Sequence, residues 1–354
     1  MSFLRERCRL LPTRPKQEII YSPAWWVPGG HLQTLWGKLF RRQKSASTTL
    51  ERWDTPDGDF VDVHRLTGSK DGPRLILLHG LEGTVRSHYA QGLLGEASRR
   101  GWAADLLIFR SCGTEMNRTR RFYHSGETTD LAFVVDRIVE EFPAAQVAIA
   151  GVSLGGNVLL KFLGERGGDL PPQLTAAAAI SVPFDLGRSS KRVNRGFSKV
   201  YQRFFLKSLT RKVREKVLHF PDLTAPERIS SLRTLEDFDD AITAPLHGYR
   251  DAVDYYTRAS SLPSLTEIRL KTLLLSAVDD PMLPPEVLDE VREAARINPA
   301  LHIEFVSRGG HAGFVTGSVP WRPFYYAEYR VGEFFAASFD QAAAQHVHKQ
   351  GSGR

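Results

Sequence analysis

Ala148-Ile149-Ala150-Gly151-Val152-Ser153-Leu154-Gly155-Gly156 carries the chain from an apolar run into a helix-forming segment, Asn157-Val158-Leu159-Leu160-Lys161-Phe162-Leu163, through a serine. A strand, a turn too tight for bulky neighbours and then a helix is the context that a Gly-X-Ser-X-Gly nucleophile elbow needs. Gly151 and Gly155 have no Cβ, so strand and helix can pack closely around a serine held in strained backbone geometry. By itself such a pentapeptide often arises by chance. Its weight depends on what surrounds it.

Outward from the serine, short apolar runs recur at Arg74 to Leu78, Trp102 to Phe109, Val147 to Ala150, Ala176 to Val182, Lys271 to Ala277 and Leu301 to Val306. Helical segments separate the earlier ones: Ser87 to Arg99, Thr128 to Glu141 and Leu154 to Arg166. This alternation predicts an α/β fold, a mostly parallel central sheet flanked by helices. Glu51-Arg52-Trp53 and Phe60 to Leu66 flank Pro56-Asp57-Gly58 and read as an antiparallel hairpin leading into the sheet. From Phe184 to about Leu262 no strand-like run occurs, so a helical cap inserted over the carboxyl ends of the strands is expected there. The domain reading is therefore an extension packing on the core over 1–50, a core of 51–183 and 263–345, a cap of 184–262, and a disordered tail of 346–354. A last amphipathic helix, from about Phe324 to Phe339, is expected to close the core.

Composition narrows the classes. Of 354 residues, 42% are hydrophobic and 25% charged, ordinary proportions for a water-soluble globular chain. No run approaches the roughly 18 apolar residues that span a bilayer, and charges interrupt the N-terminus before a secretory signal can develop. Two cysteines, Cys8 and Cys112, make no framework of bridges and read as reduced thiols, hence a cytoplasmic location. No pattern for zinc or a phosphate loop appears, so neither metal nor cofactor is expected. The net charge of +7 is local: Leu186 to Lys216 holds eleven Lys or Arg and one acid, Glu215, which leaves the rest of the chain at −3.

A serine is a weak nucleophile at neutral pH and needs a base that is oriented by a third group. In this kind of fold the order along the chain is serine, acid, histidine. After the strand ending at Ser276-Ala277 comes Val278-Asp279-Asp280-Pro281, and after the strand ending at Val306-Ser307 comes Arg308-Gly309-Gly310-His311-Ala312-Gly313. Ser153, Asp280 and His311 are the candidate triad, with Asp279 as the alternative acid. The loop His79-Gly80-Leu81-Glu82-Gly83 follows an early strand, where half of an oxyanion hole belongs. The backbone N–H groups of Leu81 and Leu154 are the expected donors, and His79 reads as a structural support for the loop.

With these residues in hand, the chain resembles the YheT-like branch of the α/β-hydrolase superfamily, related to ABHD-type lipases. The likeness runs from about Tyr21 to Phe335 and includes His31-Leu32-Gln33-Thr34, His79-Gly80-Leu81-Glu82-Gly83, Tyr123-His124-Ser125-Gly126-Glu127-Thr128, Gly151-Val152-Ser153-Leu154-Gly155-Gly156-Asn157, Pro183-Phe184-Asp185-Leu186, Asp279-Asp280-Pro281 and Gly309-Gly310-His311. The resemblance implies Ser153, Asp280 and His311 as the charge-relay positions and short- to medium-chain carboxylic esters as substrates. Ser111 stands where relatives usually carry glycine. For His31-Leu32-Gln33-Thr34 the residues themselves suggest only structural packing.

The expected activity is therefore ester hydrolysis through an acyl-enzyme on a small-molecule ester. Alcohol acyl transfer by the same triad, or a non-catalytic binding scaffold, are the alternatives. In the basic segment, Lys191, Arg195, Lys199, Arg203, Lys207 and Arg211 recur every four residues, with Phe197, Val200, Tyr201, Phe204, Phe205 and Leu209 between them. That spacing predicts one amphipathic helix with a basic outer stripe. It is either a solvated cap face or a peripheral contact, Lys191 to Arg211, for anionic membrane. Nucleic acid is not expected, because no recognised module accompanies the charge.

Overall fold

The computed structural model describes residues 19–41 and 45–351, without the side chains of 345–351; Cys8 lies outside this range. β1 (Thr49–Asp54) and β2 (Phe60–Leu66) form the expected antiparallel hairpin. β3 (Arg74–Leu78), β4 (Ala103–Ile108), β5 (Val147–Val152), β6 (Leu174–Ile180), β7 (Thr272–Ala277) and β8 (Leu301–Val306) continue a single sheet in the order β1-β2-β4-β3-β5-β6-β7-β8. β2 joins β4 antiparallel, and every pair from β4 to β8 is parallel. The chain order reverses between β3 and β5, and ligands of open parallel sheets bind at the carboxyl ends beside such a reversal.

β3, β4, β5 and β7 are buried along their whole length because helices cover both faces of the sheet. α1 (Gly29–Phe40) and α2 (His88–Arg99) lie on one side, with the final helix against α2 and β6; α3 (Thr129–Glu141) and α4 (Leu154–Arg166) lie on the other. One apolar cluster runs through the sheet and includes Trp53, Leu78, Ile149, Leu159, Leu274 and Phe335.

Between β6 and β7 the chain is helical: α5 (Leu186–Val193), α6 (Lys199–His219), α7 (Pro226–Ser231), α8 (Leu235–Phe238), α9 (Ala244–Leu246) and α10 (Ala252–Ala259). Val193 and Tyr201 pack on Met282 and Leu283 of the loop after β7, which seats this segment over the carboxyl ends of the strands. The single basic helix expected over 191–211 is instead two helices. Gly196, at φ 52°, and a 3₁₀ turn, Gly196–Ser198, separate α5 from α6, since a left-handed residue cannot continue a right-handed helix.

The outer stripe from Lys191 to Arg211 is exposed as the spacing implies. Phe197, Val200 and Phe204, expected on a covered side, are about half exposed at 54%, 48% and 54%. They point toward a groove and not into a core. After β7 and β8 come α11 (Val287–Ile297) and α12 (Tyr326–Gly351). α12 extends well beyond Phe339, through residues 346–351 that were expected as a disordered tail, because Gln341-Ala342-Ala343-Ala344-Gln345 are strong helix formers.

The hairpin is locked to the sheet by one buried cation. Arg110, just after β4, donates to Asp57, Asp59 and Asp130 at 2.7–3.2 Å. Burial raises the Asp59 carboxyl, but hydrogen bonds from Thr119, Asn117 and two backbone amides outweigh it and hold the group at about 2. Removing the cation strands buried carboxylates, so Arg110→Met should lose about 3–5 kcal/mol of stability in urea titrations near pH 7. The depressed Asp59 carboxyl contributes stability that is complete above its unfolded value of 3.8 and is lost as pH falls toward 2. The wild-type urea midpoint should therefore hold down to about pH 4 and drop below it, with Asp59→Asn flattening that drop.

Candidate active site

Ser153 connects β5 to α4 at φ 55° and ψ −121°, a conformation that costs a non-glycine residue energy. Close packing enforces it: a Cβ on Gly151 would sit 2.4 Å from the Gly155 carbonyl oxygen, and one on Gly155 would sit 2.5 Å from that of His79. The Ser153 Oγ is thereby held at the carboxyl end of the sheet, 2.8 Å from His311 Nε2. His311 Nδ1 lies 2.8 Å from Asp280 Oδ2. An ionised carboxylate only accepts, so Nδ1 carries the proton and Nε2 accepts from the serine hydroxyl. Asp280 is 1% exposed, and its other oxygen accepts the Met282 amide at 2.8 Å.

Asp279 does not reach the imidazole. It accepts the Gly309 and Gly310 amides at 2.8 and 2.9 Å and shapes the loop that presents His311. Gly310 has φ 60°, and a Cβ there would lie 2.4 Å from the Gly30 carbonyl oxygen, so this position needs glycine on two counts.

The two residues expected to supply donors, Leu81 and Leu154, line the same cavity as Ser153. Leu154 is the first residue of α4, whose amide has no intrahelical acceptor. In the loop after β3, the Gly80 amide donates to Tyr89 Oη, the Glu82 amide to Tyr123 Oη and the Gly83 amide to the Gly80 carbonyl, at 2.8–2.9 Å. The Leu81 amide between them has no acceptor among the described residues. His79 is fully buried, its Nδ1 donating to the Gly80 carbonyl at 2.7 Å and its Nε2 accepting the Phe109 amide at 3.1 Å. Burial lowers its pKa to about 4, so it is a neutral brace.

His31-Leu32-Gln33-Thr34 supplies what the sequence left without a mechanism. The Thr34 hydroxyl accepts the His311 amide at 2.9 Å and donates to the Gly30 carbonyl at 2.6 Å. The Gln33 side chain accepts the Val315 amide at 2.7 Å and donates to the Val315 carbonyl at 3.1 Å. α1 thus staples both sides of the His311 loop. The partners are about 280 residues apart, so no local pattern signals them. Ser181 also holds this loop, accepting the Ala312 amide at 3.0 Å. Ser111 takes a left-handed conformation, φ 62°, which glycine would adopt without strain; its amide donates to Asn117 Oδ1.

Two cavities meet at Ser153 and His311. One, of about 150 Å³, runs beneath the inserted helices and is lined by Leu186, Val193, Leu209, Leu235 and Phe238. Asp239, in a π-helical turn, also lines it; burial raises its carboxyl to about 6 despite hydrogen bonds from Thr243 and Tyr256. The other cavity, of about 450 Å³, is a groove between α1 and α6 lined by Leu35, Lys38, Arg86, Val200 and Phe204. Among the described residues, no cluster of His, Cys, Asp or Glu is arranged to hold a metal.

The arrangement can be compared with known proteins. The alpha/beta hydrolase fold family matches residues 73–318. The chain is 40% identical over 295 residues to "Putative esterase YheT" of Escherichia coli, covering 82% of this chain and 85% of that one. It is 28% identical to the human phospholipase ABHD3, covering 98% of this chain and 83% of that one. Among solved structures, the Pyrococcus furiosus esterase Pf2001 superposes with a TM-score of 0.54 at 16% identity, over 82% of this chain and 93% of that one, a likeness of fold alone. Taken with the sheet order and the serine turn, these matches establish that the chain belongs to the α/β hydrolase fold family, in the branch that includes YheT.

Proposed function

We propose that this protein is a serine hydrolase of carboxylic esters that works through an acyl-enzyme on Ser153. The observation that carries the reading is the unbroken chain Ser153–His311–Asp280, with both contacts at 2.8 Å. His311 takes the serine proton as Oγ attacks the ester carbonyl, and Asp280 stabilises the imidazolium that forms. The Leu81 and Leu154 amides receive the oxyanion. His311 then protonates the departing alcohol, and a water molecule follows the same route to release the acid. No step calls for a metal or organic cofactor. Alcohol acyl transfer would use the same groups with a different acceptor. A purely binding role is disfavoured, because all three triad side chains are present and in contact.

The inserted helices act as a cap, and the two cavities divide the substrate. A space of about 150 Å³ holds a group about the size of a benzene ring, so the apolar tunnel beneath α5 and α8 suits the acyl chain at short to medium length. The wider groove between α1 and α6 takes the alcohol half.

The rim of that groove is also the membrane-facing side of the proposal. Phe197, Val200 and Phe204 stand exposed beside exposed Lys199, Arg203 and Lys207, and Lys38 sits 3.8 Å over the Phe204 ring. Apolar side chains ringed by cations suit a bilayer surface carrying anionic lipid. Among the described residues no helix is long and apolar enough to cross a membrane, so the contact would be peripheral.

Three measurements test these statements. Ser153→Ala should lose p-nitrophenyl ester turnover and fluorophosphonate labelling while keeping its melting temperature, and Asp280→Asn should lower kcat by about 10⁴-fold; retained turnover in Ser153→Ala refutes the assignment. Across p-nitrophenyl esters, kcat/KM should peak near butanoate to hexanoate and fall at least about tenfold by dodecanoate, as the tunnel volume implies. Sedimentation with phosphatidylserine-containing vesicles should be lost at high salt and in Phe197→Ser/Phe204→Ser, and binding equally to neutral phosphatidylcholine vesicles would argue against the anionic contact.

A further inference from the structure

Glu82 directly follows Leu81 in the loop after β3 and takes a left-handed conformation, φ 56°. Glycine would adopt that turn without the strain that a Cβ brings there. The side chain must therefore offset the cost, and its surroundings account for it. Oε1 accepts from Tyr123 Oη at 2.8 Å and from Lys212 Nζ at 2.6 Å, and Oε2 accepts from the Ser208 hydroxyl. Tyr123 Oη in turn accepts the Glu82 amide at 2.8 Å. Lys212 also donates to Cys112 Sγ at 3.2 Å. The Glu82 and Lys212 side chains are 4% and 10% exposed, so this is a buried ion pair.

Ser208 and Lys212 are one turn apart on α6. That helix otherwise displays its cations to solvent, apart from Lys216, which is buried and donates to the Asn117 carbonyl at 2.9 Å. A buried ion pair is poor glue, since a well-packed apolar pair is often as stable or more so. What it supplies is direction. Each bond has one geometry, and together they fix the residue beside the free Leu81 amide from the cap side and, through Tyr123, from the sheet side.

We infer that Glu82 is a positioning residue: gripped by Lys212 and Ser208 of α6 and by Tyr123, it fixes the turn that aims the Leu81 N–H, so that the oxyanion hole is complete only when α6 is seated. The inference rests on the serine hydrolase reading and deepens it. The cap then covers the substrate and also assembles part of the machinery.

The test compares a p-nitrophenyl ester with its thionoester, whose sulfur is a weak hydrogen-bond acceptor and gains little from the oxyanion donors. In Glu82→Gln, kcat for the oxygen ester should fall about 10- to 100-fold with KM nearly unchanged, less than the roughly 100- to 1,000-fold cost of losing one oxyanion donor outright, because the Leu81 N–H is misaimed and not removed. The thionoester rate should hardly move, so the oxygen-over-sulfur preference shrinks by the same factor. Lys212→Met should show the same loss of preference, and Lys212→Arg should restore most of it. If Glu82→Gln folds poorly, Glu82→Gln/Lys212→Met, which leaves no unpaired buried charge, should recover the melting temperature but not the preference. Equal slowing of both esters, or no change in either, overturns the inference and leaves the hydrolase reading standing. Absence of any Ser153-dependent turnover in the wild type overturns both.

Discussion

The passage from β5 to α4 through Ser153, at φ 55° and ψ −121°, is the constraint on which the rest of the molecule is arranged. A strained residue persists only where its surroundings over-determine it. Here the strand lies between β3 and β6, the helix starts against the β3 loop, and glycines remove the only atoms that would force them apart. Two consequences follow from one turn. The serine hydroxyl is held at the carboxyl end of the sheet, and the first amide of α4 is left beside it without an intrahelical acceptor.

A fixed serine is useful only if the histidine reaches it, and the structure spends many contacts on the loop that carries His311. Asp279 gathers the Gly309 and Gly310 amides from below, while Thr34, Gln33 and Ser181 hold the His311, Val315 and Ala312 amides from above. Each bond goes to backbone, so the loop's path is set without occupying the imidazole. The two adjacent aspartates thus divide their labour: Asp280 faces the ring and Asp279 faces the chain. The helical segment does the matching work for the opposite wall, with Lys212 and Ser208 reaching down to Glu82.

Much of this was legible in the residue order. Six apolar runs matched parallel strands to within a few residues. β3, β4, β5 and β7 are buried on both faces and so stay largely apolar, while the edge strand β8, buried only at Leu301, was legible from its length and its apolar residues. The serine, the later acid and the final histidine could be placed because each sits where a strand ends. The basic segment was less legible. A four-residue recurrence of cations predicted one helix, but Gly196 breaks it, and recurrence alone could not tell that Lys212 and Lys216 turn inward while Phe197 and Phe204 turn outward. Periodicity records which residues share a face and says nothing of what that face meets.

By itself the sequence determined the sheet, the serine turn and the order of serine, acid and histidine at the strand ends, since strand burial, glycine sterics and helix propensity act between near neighbours. Tertiary structure alone decided that Asp280 and not Asp279 meets the imidazole, that Gln33 and Thr34 brace its loop, and that Glu82 is held by α6. Those outcomes rest on hydrogen bonds between residues up to about 280 positions apart, whose geometry exists only once the sheet has brought their loops to one edge.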